Sequence, residues 1–338
     1  MTVVRQLGRF LKKIVYGDTS IPHEFTIALR QPQREIAVFL HGFGDPLDVT
    51  ERHTMACCAP FLIAVSVDDN SRVAAHSSGD VFLRFCERAG QGRTLGVIHL
   101  APKAVFSLDP SQLILFEVLG SRNYCLPKLR LWAHYLPGAI SNWRKLRTFD
   151  VKMSSREIRA SYVAFIRPHP LMLGSIKGEA GGNIFPMNLM GNLGHGHFAF
   201  TLKDSRRAAH LVEKAGCIAL SNVPMPLCSI AFGLAINHTK ASIDWNDLPF
   251  ELTLSRNLRI PVPASSPRVR EMKVDQVHKL GSHTLFIMRV HSDEHRSDEP
   301  LVHTIHGFYQ HWRLRDDKTK LRSSVVEDSI NKHGAPAT

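Results

Sequence analysis

The sequence predicts a mainly β protein of the α+β class, with an antiparallel Greek-key barrel in its second half, and three observations carry that expectation. From Ser155 onward, short apolar runs alternate with turns marked by Gly or Pro, the pattern of a barrel with few helices. One helix interrupts this pattern, after Ser205. The chain is also long enough, at 338 residues with 44% hydrophobic and 21% charged, to bury two cores of ordinary size.

The stretch from 161 to 223 organises the rest. It reads as two strands around a Gly-rich crossing, a strand ending in Lys203, Asp204 and Ser205, a short helix and another strand. The helix is read from Asp204 or Ser205 as N-cap, from apolar Ala208, Ala209, Leu211, Val212 and Ala215 at helical spacing, and from Gly216 as the stop. Lys203, Ser205, Arg206 and Arg207 thus meet at a helix N-terminus. Unpaired amides and the positive end of the helix dipole suit that place to a phosphate. A capped surface helix with a solvated basic turn is the plainer alternative.

Further along, 243–250 reads as a polar loop holding an aromatic or two. Pro261-Val262-Pro263 suits a loop or a sheet edge. Val274 to His278 leads to a turn at Gly281 and a last strong strand, Thr284 to Val290. Val302 to Arg315 is aromatic and basic, and 316–338 reads as a polar tail.

The first 150 residues are less explicit. Arg34 to Phe43 is a strand entering a Gly-Asp-Pro turn; an oxyanion turn of a hydrolase would need a G-x-S-x-G elbow, which the chain lacks. Pro60 to Val67 is a strand after a proline, as is Pro170 to Ile176, and this faint echo suggests an internal duplication, so that residues 1–150 would be a degenerate second barrel. Thr94 to Val105 is apolar in two short runs, and Leu113 to Gly120 reads as a buried strand. Ser121 to Arg147, with Trp132, Tyr135 and Trp143 among Lys and Arg, is a helical connector whose aromatics are expected to pack inward rather than stack on nucleic acid.

A net charge of +12 favours acidic partners without choosing among them. The six cysteines form no C-x-x-C pair, which fits core thiols in a reducing cytoplasm. The start carries charges throughout its apolar residues, excluding a secretory signal and leaving a basic amphipathic helix. No apolar run is long enough to span a membrane. Among nineteen histidines, His195 with His197, His291 with His295, and His303, His306 and His311 have ligand-like spacings without matching a known metal site, so no metal is expected. Without a G-x-G-x-x-G, a Rossmann domain is not supported.

Pro168-x-Pro170-Leu-Met-Leu-Gly-Ser-Ile, then Asn183-Ile-Phe-Pro-Met-Asn188, then Lys203-Asp204-Ser205 before a helix, and Val223-Pro224 after the next strand together resemble the flavin reductase-like FMN-binding split-barrel family. Gly281-Ser282-His283 is similar to that family's Gly-Asp-His element, with Ser282 where the pattern has Asp. The resemblance covers about 155–292. It implies a split barrel at 151–315, FMN or FAD as cofactor, NAD(P)H as electron donor stacking on the flavin, and a homodimer, or a pseudo-dimer if the duplication is real.

The resemblance also distributes the roles. Lys203, Ser205 and Arg206 or Arg207 would take the phosphate. Phe185, Met187, Asn188 and Leu189 would lie along the ring's pyrimidine edge, with Asn188 able both to donate and to accept. Ser175, after Gly174, would let the ring approach closely, and Asn183 would add a contact. His283 would act beside the ring and the entering nicotinamide. The expected activity is a flavoprotein oxidoreductase passing hydride from NAD(P)H to flavin. Its alternatives are a non-catalytic flavin-binding module and a nucleic-acid-associated barrel without cofactor.

Overall fold

The structure, a computed structural model, describes residues 24–68, 80–88, 92–143, 151–178, 181–315 and 327–328. It is mainly antiparallel β with few helices, as the alternation predicts. The basic start and nearly all of the tail lie outside the described residues.

The first half runs β1 (Glu24–Leu29), β2 (Ile36–His41), β3 (Leu47–Asp48), β4 (His53–Cys58), β5 (Phe61–Asp68), β6 (Val81–Glu87), β7 (Thr94–Leu108), β8 (Ser111–Asn123), α1 (Lys128–Trp143) and α2 (Ser155–Ala164). The second runs β9 (His169–Pro170), β10 (Met172–Gly178), β11 (Gly181–Met187), β12 (Met190–Gly194), β13 (His197–Lys203), α3 (Arg207–Ala215), β14 (Cys217–Asn222) and α4 (Cys228–Gly233). It continues through β15 (Leu252–Leu254), β16 (Pro261–Pro263), β17 (Arg268–Lys279), β18 (His283–His295), β19 (Leu301–His306) and α5 (Gly307–Arg313).

Two seven-stranded sheets dominate, in the orders β3-β2-β6-β7-β8-β5-β4 and β11-β10-β14-β17-β18-β13-β12. Numbered from its own first strand, each reads 2-1-5-6-7-4-3, so the two halves share one topology. Backbone pairing fixes the register between them. Ser66 N donates to Arg52 O as Thr201 N donates to Leu189 O, and Asp68 pairs with Ser111 as Lys203 pairs with His283. Hence β5 corresponds to β13, and Pro60 to Val67 does not correspond to Pro170 to Ile176, which lies in the barrel's first strand. Apolar strands after a proline are too common to fix a correspondence on their own. A better signal lies just beyond β5. Ser71-Arg72-Val73-Ala74-Ala75-His76 repeats Ser205-Arg206-Arg207-Ala208-Ala209-His210 except at Val73. Ser71 to His76 falls outside the described residues, so this likeness is one of sequence.

Period-2 burial explains the strands. Ile63, Val65 and Val67 point into the first core while Leu62 and Ala64 point to the partner barrel; Phe198, Phe200 and Leu202 fill the second core while Ala199 turns outward. The two barrels meet through Leu62, Ala64, Leu113 and Leu115 on one side and Leu193, Ala199, Leu285 and Ile287 on the other. At their crossing Gly191 lies against β4, where a Cβ would sit 2.5 Å from His53 O. Only glycine permits that approach.

The two apolar runs at Thr94 to Val105 are one long strand, β7, interrupted by irregularities at His99/Leu100 and Pro102/Ala104. Although α2 follows residue 150, its Ala160 and Val163 pack in the first core, as do Phe308 and Tyr309 of α5. Within 302–315, β19 pairs with β1 and α5 follows it. In α1, Tyr135 packs against Tyr162 and Phe308 as expected, whereas Trp132 is 67% exposed and so faces outward. All six cysteines are free. No described helix is long and apolar enough to cross a membrane.

Candidate functional site

The end of β13, the start of α3, the start of β18 and the segment after β11 converge on one cavity of about 280 Å³. Its lining includes Met187, Asn188, Leu189, Lys203, Arg206 and His283, six residues from three separated segments that the sequence had singled out. Strand pairing explains the convergence. β13 and β18 run antiparallel with Lys203 opposite His283, so the last residue of one strand meets the first of the other. β11 brings Met187 and Asn188 to the same end of the barrel.

The helix begins later than expected. Arg206 rather than Asp204 or Ser205 is the N-cap of α3, and its side chain caps no amide. Asp204 is held elsewhere, accepting from Thr284 Oγ1, and Ser205 is exposed. Arg206 lines the cavity, while Arg207 is exposed at the first helical position and does not. Gly216 ends the helix with φ 65°, as read from the sequence.

Ser175, Asn183 and Phe185 are placed away from the cavity lining. Ser175 is fully buried between β11 and β14 with its hydroxyl unpartnered. Asn183 donates through Nδ2 to Asn237 O and Lys240 O, both at 2.9 Å, pinning the 3₁₀ turn Leu234–Thr239 against β11. Phe185 fills the second core. Strand alternation puts Ser175, opposite Ile184, on the sheet face away from Phe185, while Asn183, two residues before Phe185, shares its face further along β11; neither position lines the cavity.

That 3₁₀ turn supplies two lining residues the sequence did not flag, Ala235 and His238. His238 Nε2 lies 2.7 Å from Pro186 O, and burial, with Arg206 nearby, keeps its pKa below the usual value. No motif marks this turn; only the fold brings it to the β11 edge.

Asn188 bridges the barrel to the small sheet of β1 and β19, its Nδ2 lying 3.4 Å from both Glu24 Oε1 and Thr304 Oγ1. Burial raises the Glu24 pKa, opposed by the bond from Asn188. His283 is buried, and burial first, then Lys203, lowers its pKa to about 4 against the opposing pull of Asp204. It is therefore neutral at pH 7. Its Nδ1 lies 2.8 Å from Ser282 Oγ, which also accepts from Ala59 N at 3.0 Å. The first barrel thus reaches the second barrel's cavity through the β4–β5 hairpin.

Chemically, the cavity combines the Lys203 and Arg206 side chains, the imidazoles of His238 and His283 and the Asn188 amide with an apolar floor of Pro186, Met187, Leu189 and Leu202. That donor set suits a flat, partly apolar ligand carrying anionic oxygens. Among the described residues, no group of three His, Cys, Asp or Glu side chains is placed to hold a metal ion.

No family model matches the chain. No curated protein matches it either. Solved structures do match part of it. It is similar to an NADH:FAD oxidoreductase of Streptomyces globisporus, at 13% identity over 48% of this chain and 96% of that one, with a TM-score of 0.40. It is similar to an FMN-binding protein from Thermus thermophilus at 18% identity, over 44% and 80% of the two chains, TM-score 0.37. A styrene monooxygenase flavin reductase from Pseudomonas putida S12 is similar at 19%, over 42% and 90%, TM-score 0.35. Each likeness spans less than half of this chain.

Proposed function

We propose that the chain is a flavin-binding oxidoreductase whose second barrel holds FMN in the cavity at Lys203, Arg206, Asn188 and His283, and that NAD(P)H reduces it there. The observation that supports this reading is the meeting of those separated residues, chosen from the sequence for flavin contacts, around one cavity.

The donor set fits. Lys203 and Arg206, at the uncapped start of α3, offer charge and amides to a phosphate. Pro186 to Leu189 gives an apolar edge with one amide group for a ring's heteroatoms. At about 280 Å³ the cavity lies near the lower end of small-molecule sites, which run from about 300 Å³ upward, so it would cradle part of a mononucleotide and leave the rest in solvent. A bound flavin would supply a two-electron acceptor. The chain would hold it, keep cations beside its anionic groups and present His283 as a neutral hydrogen-bonding group.

The test is the spectrum of the purified protein, alone and titrated with FMN, followed by anaerobic NADH or NADPH. Flavin absorbance that bleaches on reduction is the expected result. Binding without bleaching would leave a flavin module that is no reductase, and no binding of FMN or FAD at micromolar concentrations would overturn the reading.

A further inference from the structure

Ser282 stands beside His283 with its hydroxyl in a defined place. Ala59 N–H donates to Ser282 Oγ at 3.0 Å, taking one lone pair. His283 Nδ1 lies at 2.8 Å and Cys57 Sγ at 3.4 Å from the same oxygen, while Cys57 Sγ also donates to Ala59 O at 3.5 Å. The hydroxyl has a single proton to give. An imidazole nitrogen at hydrogen-bond distance is a far better acceptor than a thiol sulfur, so that proton belongs on the bond to Nδ1.

We infer that Ser282 is a positioning residue that fixes His283 as the Nε2–H tautomer, so that the imidazole presents a hydrogen-bond donor, and not an acceptor or a cation, to the cavity. The inference concerns the same cavity as the proposed flavin site, but its first test needs no flavin.

The surroundings agree. Lys203, opposite His283 on β13, disfavours a positive ring, and Asp204, the one carboxylate acting on it, is engaged by Thr284. The hairpin facing it from the first barrel brings thiols and a backbone amide, with no carboxylate among its hydrogen bonds to Ser282. With Nδ1 taken by Ser282, Nε2 is the nitrogen left for the cavity, where Lys203 and Arg206 are also donors. The cavity then favours a ligand rich in acceptor oxygens. An aspartate at 282 would reverse this, because a carboxylate on Nδ1 takes the Nδ1–H and favours imidazolium.

The experiment is ¹⁵N NMR of the full chain with labelled histidine, the His283 resonances being assigned by their loss in His283→Gln. In the apoprotein at pH 7, Nε2 is expected to carry the proton and Nδ1 to show the shift of an unprotonated acceptor. Ser282→Ala should give a mixture of tautomers with unchanged thermal stability to within a few degrees. Ser282→Asp should protonate the ring at a pH at least one unit higher. On protein that binds FMN, Ser282→Ala should weaken binding several-fold, and Ser282→Thr should restore it. An Nδ1–H tautomer in the unaltered protein, or an unchanged tautomer in Ser282→Ala, would overturn the inference. Failure of FMN to bind would overturn the proposed function and leave the tautomer result standing.

Discussion

The two barrels share strand order, register and an alternation of inward and outward residues, yet at the mouth they carry opposite chemistry. Lys203 in the second barrel corresponds to Asp68 in the first, His283 to Ser111, and, counting back from the shared Thr201 and Ser66 bonds, Asn188 to Glu51 and Leu189 to Arg52. Where the second barrel gathers Lys203 and Arg206 around a cavity, the first closes Asp68 onto Arg52 at 2.8 Å and onto His195 of the opposite hairpin at 2.9 Å. The difference teaches that the fold is specified by side chains inside the sheets and the site by a few at strand ends. Inward positions differ in identity but stay apolar, as in Ile63 and Phe198, Val65 and Phe200, Val67 and Leu202, whereas the strand-end residues differ in charge.

The largest expected effect falls on ligand binding. Charge-assisted hydrogen bonds contribute roughly 1.5–3 kcal/mol each, so Lys203→Ala with Arg206→Ala should weaken FMN binding about 100-fold or more. Arg52→Ala with Asp68→Ala, at the mirrored place, should leave it within about twofold. Titration should saturate at one flavin per chain. Two equivalents, or equal losses from both double variants, would break the contrast between the barrels.

Next comes the crossing of the barrels. Gly191→Ala places a methyl against His53 O and Thr54 and should cost about 3 kcal/mol, seen as a fall in thermal midpoint. Thr54, its counterpart in the first barrel by strand pairing, already carries a side chain, and its buried hydroxyl is unpartnered. Thr54→Ala should therefore be much milder, and Thr54→Gly combined with Gly191→Ala should recover part of the loss.

A third effect is pH dependence. His283 titrates near 4 in the folded chain but near its ordinary value of 6.5 when unfolded. Between those values the unfolded chain binds more protons, so stability falls as pH drops from about 6.5 toward 4. The corresponding position in the first barrel is Ser111, whose side chain does not titrate in this window. His283→Gln should flatten the slope of thermal midpoint against pH in that window; an unchanged slope would show that the other buried histidines, such as His53 and His303, carry all of it.

The smallest effect concerns the mirrored ion pair. Asp68 and Arg52 are half exposed, and such pairs contribute about 0.2–1 kcal/mol. Asp68→Asn should lower stability within that range at low salt and by less at high salt.

The strands of the second barrel were legible because each is short, alternating and bounded by Gly or Pro, and the end of β13 was legible because Lys203-Asp204-Ser205 precedes a helical pattern closed by Gly216. Asn188 and His283 were picked out by the resemblance of the segments that hold them, 183–188 and 281–283, and not by a local pattern. Ser175 and Asn183 do not line the cavity: Ser175 lies on the face away from Phe185, and the Asn183 amide is engaged by the 3₁₀ turn, a contact between segments that no local pattern announces. Ala235 and His238 carry no local signal, since their place depends on Asn183 and Asn237 folding a 3₁₀ turn back over β11. The first barrel was obscured for a different reason. Its matching segment after β5 is one residue longer, which hides the repeat from a comparison at fixed spacing.

That both halves sit on one polypeptide has a consequence beyond geometry. In an assembly of two identical subunits, any inherited change strikes both copies at once, so a mouth cannot be remodelled without remodelling its twin. Here each half mutates alone, and selection can let one become mere scaffolding, free to serve as a brace for its neighbour.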